Sequence, residues 1–72
     1  MPDVPATITV LINQQPRRLP AGASLADAVA QAGVRPPFAA AVNLEFVPRG
    51  QHAAHVLHEG DRIELIAPIT GG

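Results

Sequence analysis

The chain has 72 residues, a formal net charge of −1 and no cysteine, so it can build one small hydrophobic core and can hold neither a disulfide nor a thiolate metal site. Its basic residues, Arg17, Arg18, Arg35, Arg49 and Arg62, are scattered, and its only aromatics are Phe38 and Phe46. That is the wrong footprint for a phosphate backbone or a base-stacking platform, and nucleic acid is not an expected partner.

The opening MPDVPATITV lacks the basic start and long apolar stretch of a signal peptide, and no apolar run approaches the roughly 18 residues of a membrane span. A cytoplasmic protein without membrane attachment is expected. Residues Thr7 to Ile12, TITVLI, are β-branched almost throughout, with Ile8, Val10 and Ile12 on one face at period two, which predicts a strand. The cluster Asn13, Gln14, Gln15, Pro16 turns the chain, and Arg17 to Leu19 return as a short second strand. After the loop around Gly22, Ser24 stands as an N-cap with Asp27 three residues on, a shortened capping box. Behind it Leu25, Ala28, Val29 and Ala32 make one apolar stripe, so the helix runs from Leu25 to Ala32; Gly33 closes it and Pro36-Pro37 prevents a restart.

Phe38 to Val42 is apolar and short enough for a buried strand, Asn43 and Glu45 mark a turn, and Phe46-Val47 fits another short strand ended by Pro48. Arg49 to His58 reads as a polar loop or a single helical turn. Glu59, Gly60 and Asp61 are a turn signal ahead of the last strand, Arg62 to Ile66, where Ile63 and Leu65 alternate with charged residues. The whole, residues 1–72, reads as a single α+β domain. One helix lies on one face of a mixed sheet of four or five strands, over a core including Ile8, Val10, Leu25, Val29, Val42, Ile63 and Leu65.

Catalytic and metal-binding templates are weak. His52, His55 and His58 recur at intervals of three and would share a face on a helical turn, but no carboxylate or cysteine completes a zinc set, and solvated loop histidines are the simpler reading. No metal site is expected. Ser24, the only serine, is accounted for by its cap, and Asp27, Glu45, Glu59, Asp61 and Glu64 read as cap, turn and surface acids rather than a paired acid and base. An enzyme is not expected. The apolar residues Leu44, Phe46 and Ile66 are candidates for a partner-docking surface on the open sheet face.

The C-terminal APITGG is the most pointed feature. Pro68 has no N–H to continue a ladder, so Ile66 or Ala67 should be the last paired residue and 68–72 should leave the body as a tail. Five extended residues reach on the order of 16 Å. With Thr70, Gly71 and Gly72 mobile and the two glycines free of any Cβ, such a tail can thread a narrow channel and present the Gly72 carboxylate to a partner's active site. A carboxylate becomes electrophilic once its oxygen is made a leaving group, as by adenylation with ATP.

The segments Val42-Asn43, Val47-Pro48-Arg49, Gly60-Asp61, Ile63 to Ile66 and Gly71-Gly72, with Leu19-Pro20 before the helix, resemble the ThiS family of sulfur carriers of thiamine biosynthesis, with the ubiquitin-like β-grasp fold. The resemblance implies that Gly72 is adenylated by an adenylyltransferase of the ThiF type, using ATP bound by that partner. A persulfide donor then converts it to a thiocarboxylate, which delivers sulfur to a thiazole synthase of the ThiG type; no stably bound cofactor is implied. The tail also resembles that of the small subunit of molybdopterin synthase, a sister carrier. The short chain and the Val47-Pro48-Arg49 segment favour the thiamine carrier. A reading of another class is a β-grasp binding module whose glycines are incidental.

Overall fold

Alternating β-branched residues put Ile8, Val10 and Ile12 on one face of strand β1 (Thr7–Ile12), and all three are buried. The structure is a computed structural model and describes residues 6–67. Strand β2 (Gln15–Pro20) returns antiparallel in a register that pairs Ile12 with Gln15 and Thr7 with Pro20. Only Asn13 and Gln14 remain for the reversal, and both have positive φ, 49° and 70°, the signature of a type I′ hairpin turn. The strand is therefore longer than Arg17 to Leu19, because a two-residue turn leaves Gln15 and Pro16 inside it. The two prolines are tolerated because β2 is an outer strand.

Helix α1 (Leu25–Ala32) begins with both halves of the capping box: the Asp27 N–H donates to Ser24 Oγ at 3.2 Å and the Ser24 N–H donates to Asp27 Oδ2 at 2.9 Å. Asp serves where Glu is usual. Gly33 ends the helix in the left-handed region at φ 74°, its N–H turned back to the Val29 and Ala30 carbonyls. Leu25 and Ala28 are buried while Val29 and Ala32 are half-buried at the edge of the stripe. Val29 thus flanks the core rather than forming its centre.

Strand β3 (Ala39–Val42) and the two-residue β4 (Glu45–Phe46) form a second hairpin on the same plan, with Asn43 and Leu44 as its turn, again at positive φ of 51° and 71°. Glu45 is a strand residue rather than part of the turn. Val47 lies just past β4, buried, its N–H donating to the Ala40 carbonyl at 2.9 Å. A 3-10 helix (Arg49–Ala54) follows, and then β5 (Arg62–Ile66).

The sheet has five strands in the order β2-β1-β5-β3-β4; β1 and β5 are parallel and the other pairs antiparallel. The last strand in the chain is the middle strand in space. It brings Ile63 and Leu65 between the two hairpins, where they pack with Val10, Val42, Leu25 and Leu57 beneath the helix. This is the β-grasp arrangement, with one face of the sheet covered by the helix. A short bridge between Ser24 and Val56 ties the start of the helix to the segment after the 3-10 turn, through Leu25 N–H to His55 O and Leu57 N–H to Ala23 O, both 2.8 Å. It holds Leu57 fully inside.

Leu25 is fully buried where the helix meets the sheet, and truncating such a leucine typically costs about 2–5 kcal/mol. For a domain of this size total stability is on the order of 5 kcal/mol. Leu25→Ala is therefore expected to leave a largely unfolded population at 37 °C, measured by urea denaturation followed by circular dichroism; an unfolding midpoint equal to the parent's would contradict this packing.

Candidate functional site

The face of the sheet away from α1 carries the side chains that alternate with the core: Leu11 on β1, Arg62, Glu64 and Ile66 on β5, Ala39 and Ala41 on β3, and Phe46 on β4. Register aligns them across the sheet. Phe46 lies opposite Ala41 and Ala41 opposite Glu64, while Ile66 lies opposite Ala39. The alanines have only methyl groups to cover their surroundings, which leaves Phe46 at 67% and Ile66 at 63% exposure. Leu44, at the tip of the β3–β4 turn, is 82% exposed and overhangs a cleft shared with Leu11, Gln14, Arg62 and Glu64.

Leu44, Phe46 and Ile66, singled out in the sequence, are thus all presented to solvent, with Phe46 and Ile66 on one sheet face and Leu44 at its rim. Val56, at 49% exposure, was not foreseen; it lines a separate groove with Phe46, Gln51 and His55. Nothing in the local sequence marks it, since its exposure results from the turn that buries its neighbour Leu57. Leu44 is unusual in a second way. Its φ of 71° is a region that glycine or asparagine normally fills and that costs a branched apolar residue strain. A strained, exposed apolar side chain contributes nothing to this fold, and such residues concentrate at functional sites.

The three histidines part company. His52 is buried, its ring stacked on Phe38 at 5.7 Å between centroids and its Nε2 3.0 Å from the Val47 carbonyl oxygen. It is a structural residue, not the solvated loop histidine that the sequence suggested, because the 3-10 helix turns it under the β3–β4 hairpin. His55 is half-buried. His58 is exposed, with Nδ1 3.9 Å from Asp61 Oδ2. Among the described residues no cluster of His, Cys, Asp and Glu is placed to hold a metal ion.

The acids serve the backbone. Asp61 Oδ2 accepts from the His58 N–H at 2.8 Å and its Oδ1 from Asn43 Nδ2 at 3.0 Å, while Glu59 accepts from the Thr9 N–H at 3.0 Å. With Asp27 in its cap, these are turn and ladder partners. Strand β5 ends at Ile66, as the following Pro68 requires. Pro68, Thr70, Gly71 and Gly72 lie outside the described residues, and so does the expected mobility of the tail. No described helix is long and apolar enough to cross a membrane.

Comparison with known proteins bears on the reading of these features. The family model described as the ThiS family matches residues 10–72. The chain belongs to the ThiS family. It is 38% identical over 64 residues to the sulfur carrier protein ThiS of Escherichia coli strain K12, an alignment that spans 88% of this chain and 97% of the relative. Its fold is similar to the crystal structure of the thiamine biosynthesis protein ThiS from Geobacter metallireducens, with a TM-score of 0.74 at 17% identity, covering 90% of this chain and 100% of the other. At that identity the structural likeness concerns the fold.

The conformation of Leu44 yields a direct expectation. Glycine at this position relieves the left-handed strain and removes no buried contact, so Leu44→Gly should stabilise the ThiS-family domain by about 0.5–1 kcal/mol. Urea unfolding of the variant and its parent measures the difference; a loss of stability would mean that Leu44 supports the fold.

Proposed function

We propose that this chain is a sulfur carrier of thiamine biosynthesis, a protein substrate handed between enzymes, with Gly72 as the residue modified. The observation that carries this reading is the coincidence of patch and exit. Ile66 is at once the last residue of the central strand and an exposed apolar residue on the same open sheet face as Phe46. A partner that covers this surface stands directly where the chain departs toward Ala67, Pro68 and the closing Gly71-Gly72. Family membership and the name of the Escherichia coli relative support the same reading and favour the thiamine pathway over the molybdopterin one.

The chemistry follows from what a carboxylate can do. In an adenylyltransferase of the ThiF type, a carboxylate oxygen of Gly72 attacks the α-phosphorus of ATP and releases pyrophosphate, leaving an acyl adenylate. The terminal sulfur of a donor persulfide displaces AMP from the carbonyl. A second donor thiol then breaks the S–S bond, so the donor leaves as a disulfide and the carrier as a thiocarboxylate. The absence of cysteine from the chain means that no internal thiol competes for the activated carbonyl. The thiocarboxylate is in turn the nucleophile that a thiazole synthase of the ThiG type receives. Thr70 and Gly71 thread with Gly72 into the partner site, where a Cβ would widen the bore that the channel needs.

Incubating the chain with ATP, a ThiF-type adenylyltransferase and a persulfide donor should raise its intact mass by the difference between a sulfur and an oxygen atom, and deletion of Gly72 should abolish the gain. Gly71→Val should slow it by crowding the channel. Phe46→Asp, which alters a side chain outside the core, should keep its circular dichroism spectrum and lose about tenfold or more in affinity for the adenylyltransferase, the usual penalty for an interface anchor. An unchanged mass with an enzyme shown to act on another carrier would favour the binding-module reading instead.

A further inference from the structure

The main chain of β1 leaves the sheet one residue too early for β5. In a regular parallel ladder Asn13 would donate its N–H to Ile63 and accept the Leu65 N–H on its own carbonyl. The first bond is present at 2.9 Å. The second is not made by the backbone, because the left-handed conformation of Asn13 turns its carbonyl away into the hairpin. Its side chain takes over: Oδ1 accepts the Leu65 N–H at 2.8 Å and Nδ2 donates to the Leu65 carbonyl at 3.2 Å. The carboxamide acts as one further peptide group of β1, laid against the point where β5 is about to leave the sheet.

We infer that Asn13 is the positioning residue of the carrier tail: its carboxamide fixes Leu65 from the β1 side and so sets the direction in which the chain departs toward Gly72. This rests on the carrier reading given above. On the other side Leu65 and Ile66 are paired with Ala40 and Ala39 of β3, so Asn13 is what makes the hold two-sided. Glycine would suit the turn better and aspartate would tolerate it equally, but only asparagine supplies an acceptor and a donor together. The consequence is geometric. Leu65 lies seven residues before Gly72, so this hold fixes the point from which the tail starts, and a reacting group displaced by about 1 Å can lose on the order of a hundredfold in rate.

The test uses the full chain and its adenylyltransferase. Asn13→Gly keeps the turn and removes both bonds; Asn13→Asp keeps the acceptor alone; Val29→Ala, on the helix side, is a control for lost stability. Asn13→Gly is expected to bind the enzyme within about twofold of the parent, since the apolar surface is untouched, and to form adenylate at saturation about tenfold more slowly, as for a misplaced reactant. Asn13→Asp should fall between, Val29→Ala should keep the parental rate, and the Leu65 amide should exchange faster in Asn13→Gly. A parental rate in Asn13→Gly overturns the inference while leaving the carrier reading intact, and so does an equal loss in Val29→Ala. If the parent itself is not adenylated, the carrier reading fails and the positioning role falls with it.

Discussion

The fold turns on the way β5 is received between two hairpins that have already turned back. Each hairpin uses a two-residue type I′ turn opening on asparagine, and in each the asparagine carbonyl is lost to the sheet by the turn's left-handed geometry. Each time the side chain repairs the ladder. Asn13 Oδ1 receives the Leu65 N–H at 2.8 Å near the end of β5, and Asn43 Oδ1 receives the Arg62 N–H at 3.0 Å at its beginning, while the Asn43 N–H donates to the Arg62 carbonyl at 2.7 Å. Without these groups two amides of the central strand would lack their ladder partners, each costing about 1–3 kcal/mol where water is excluded.

Other parts of the molecule follow from that middle strand. Because β5 lies between β1 and β3, its inward residues Ile63 and Leu65 reach every side of the core, and its outward residues Arg62, Glu64 and Ile66 form the spine of the open face. The outer strands are left as edges, and both are blunted: β2 by Pro16, Pro20 and two arginines, β4 by being only two residues long. A carrier with an unguarded edge would pair with other chains through its backbone. Here the exposed apolar groups, Phe46 and Ile66, are side chains of the open face rather than unpaired backbone.

Helix, hairpins and final strand were largely legible in the sequence because each obeys a local rule. The capping box at Ser24 and Asp27, the stripe through Leu25 and Ala28, and the alternation in Arg62 to Ile66 need no tertiary partner to be recognised. Strand ends were less so. Gln15 and Pro16 read as turn residues because Asn13-Gln14 lacks the glycine that usually announces a two-residue reversal, and Glu45 reads as one for the same reason at Asn43-Leu44. His52 and Leu57, in a stretch that reads as polar loop, are buried because the 3-10 turn sets His52 against Phe38 and Val47 and the bridge to Ser24 holds Leu57 inside. No periodicity records such a contact.

For the site, the sequence by itself determined which residue types are on offer: no cysteine, a proline two residues past the last strand, and the Gly71-Gly72 pair on which the family resemblance rests. Those conclusions depend on residue type and order, which are local. Only the tertiary structure decided where things stand relative to one another. It put the last strand at the centre of the sheet, gathered Phe46 and Ile66 over small alanines beside the exit of the chain, left Leu44 strained and exposed, and aimed the Asn13 carboxamide at Leu65 across 52 positions of sequence. The reason is that pairing between strands is set by burial and register summed over the whole sheet, and a single residue's sequence neighbours carry no measure of that sum.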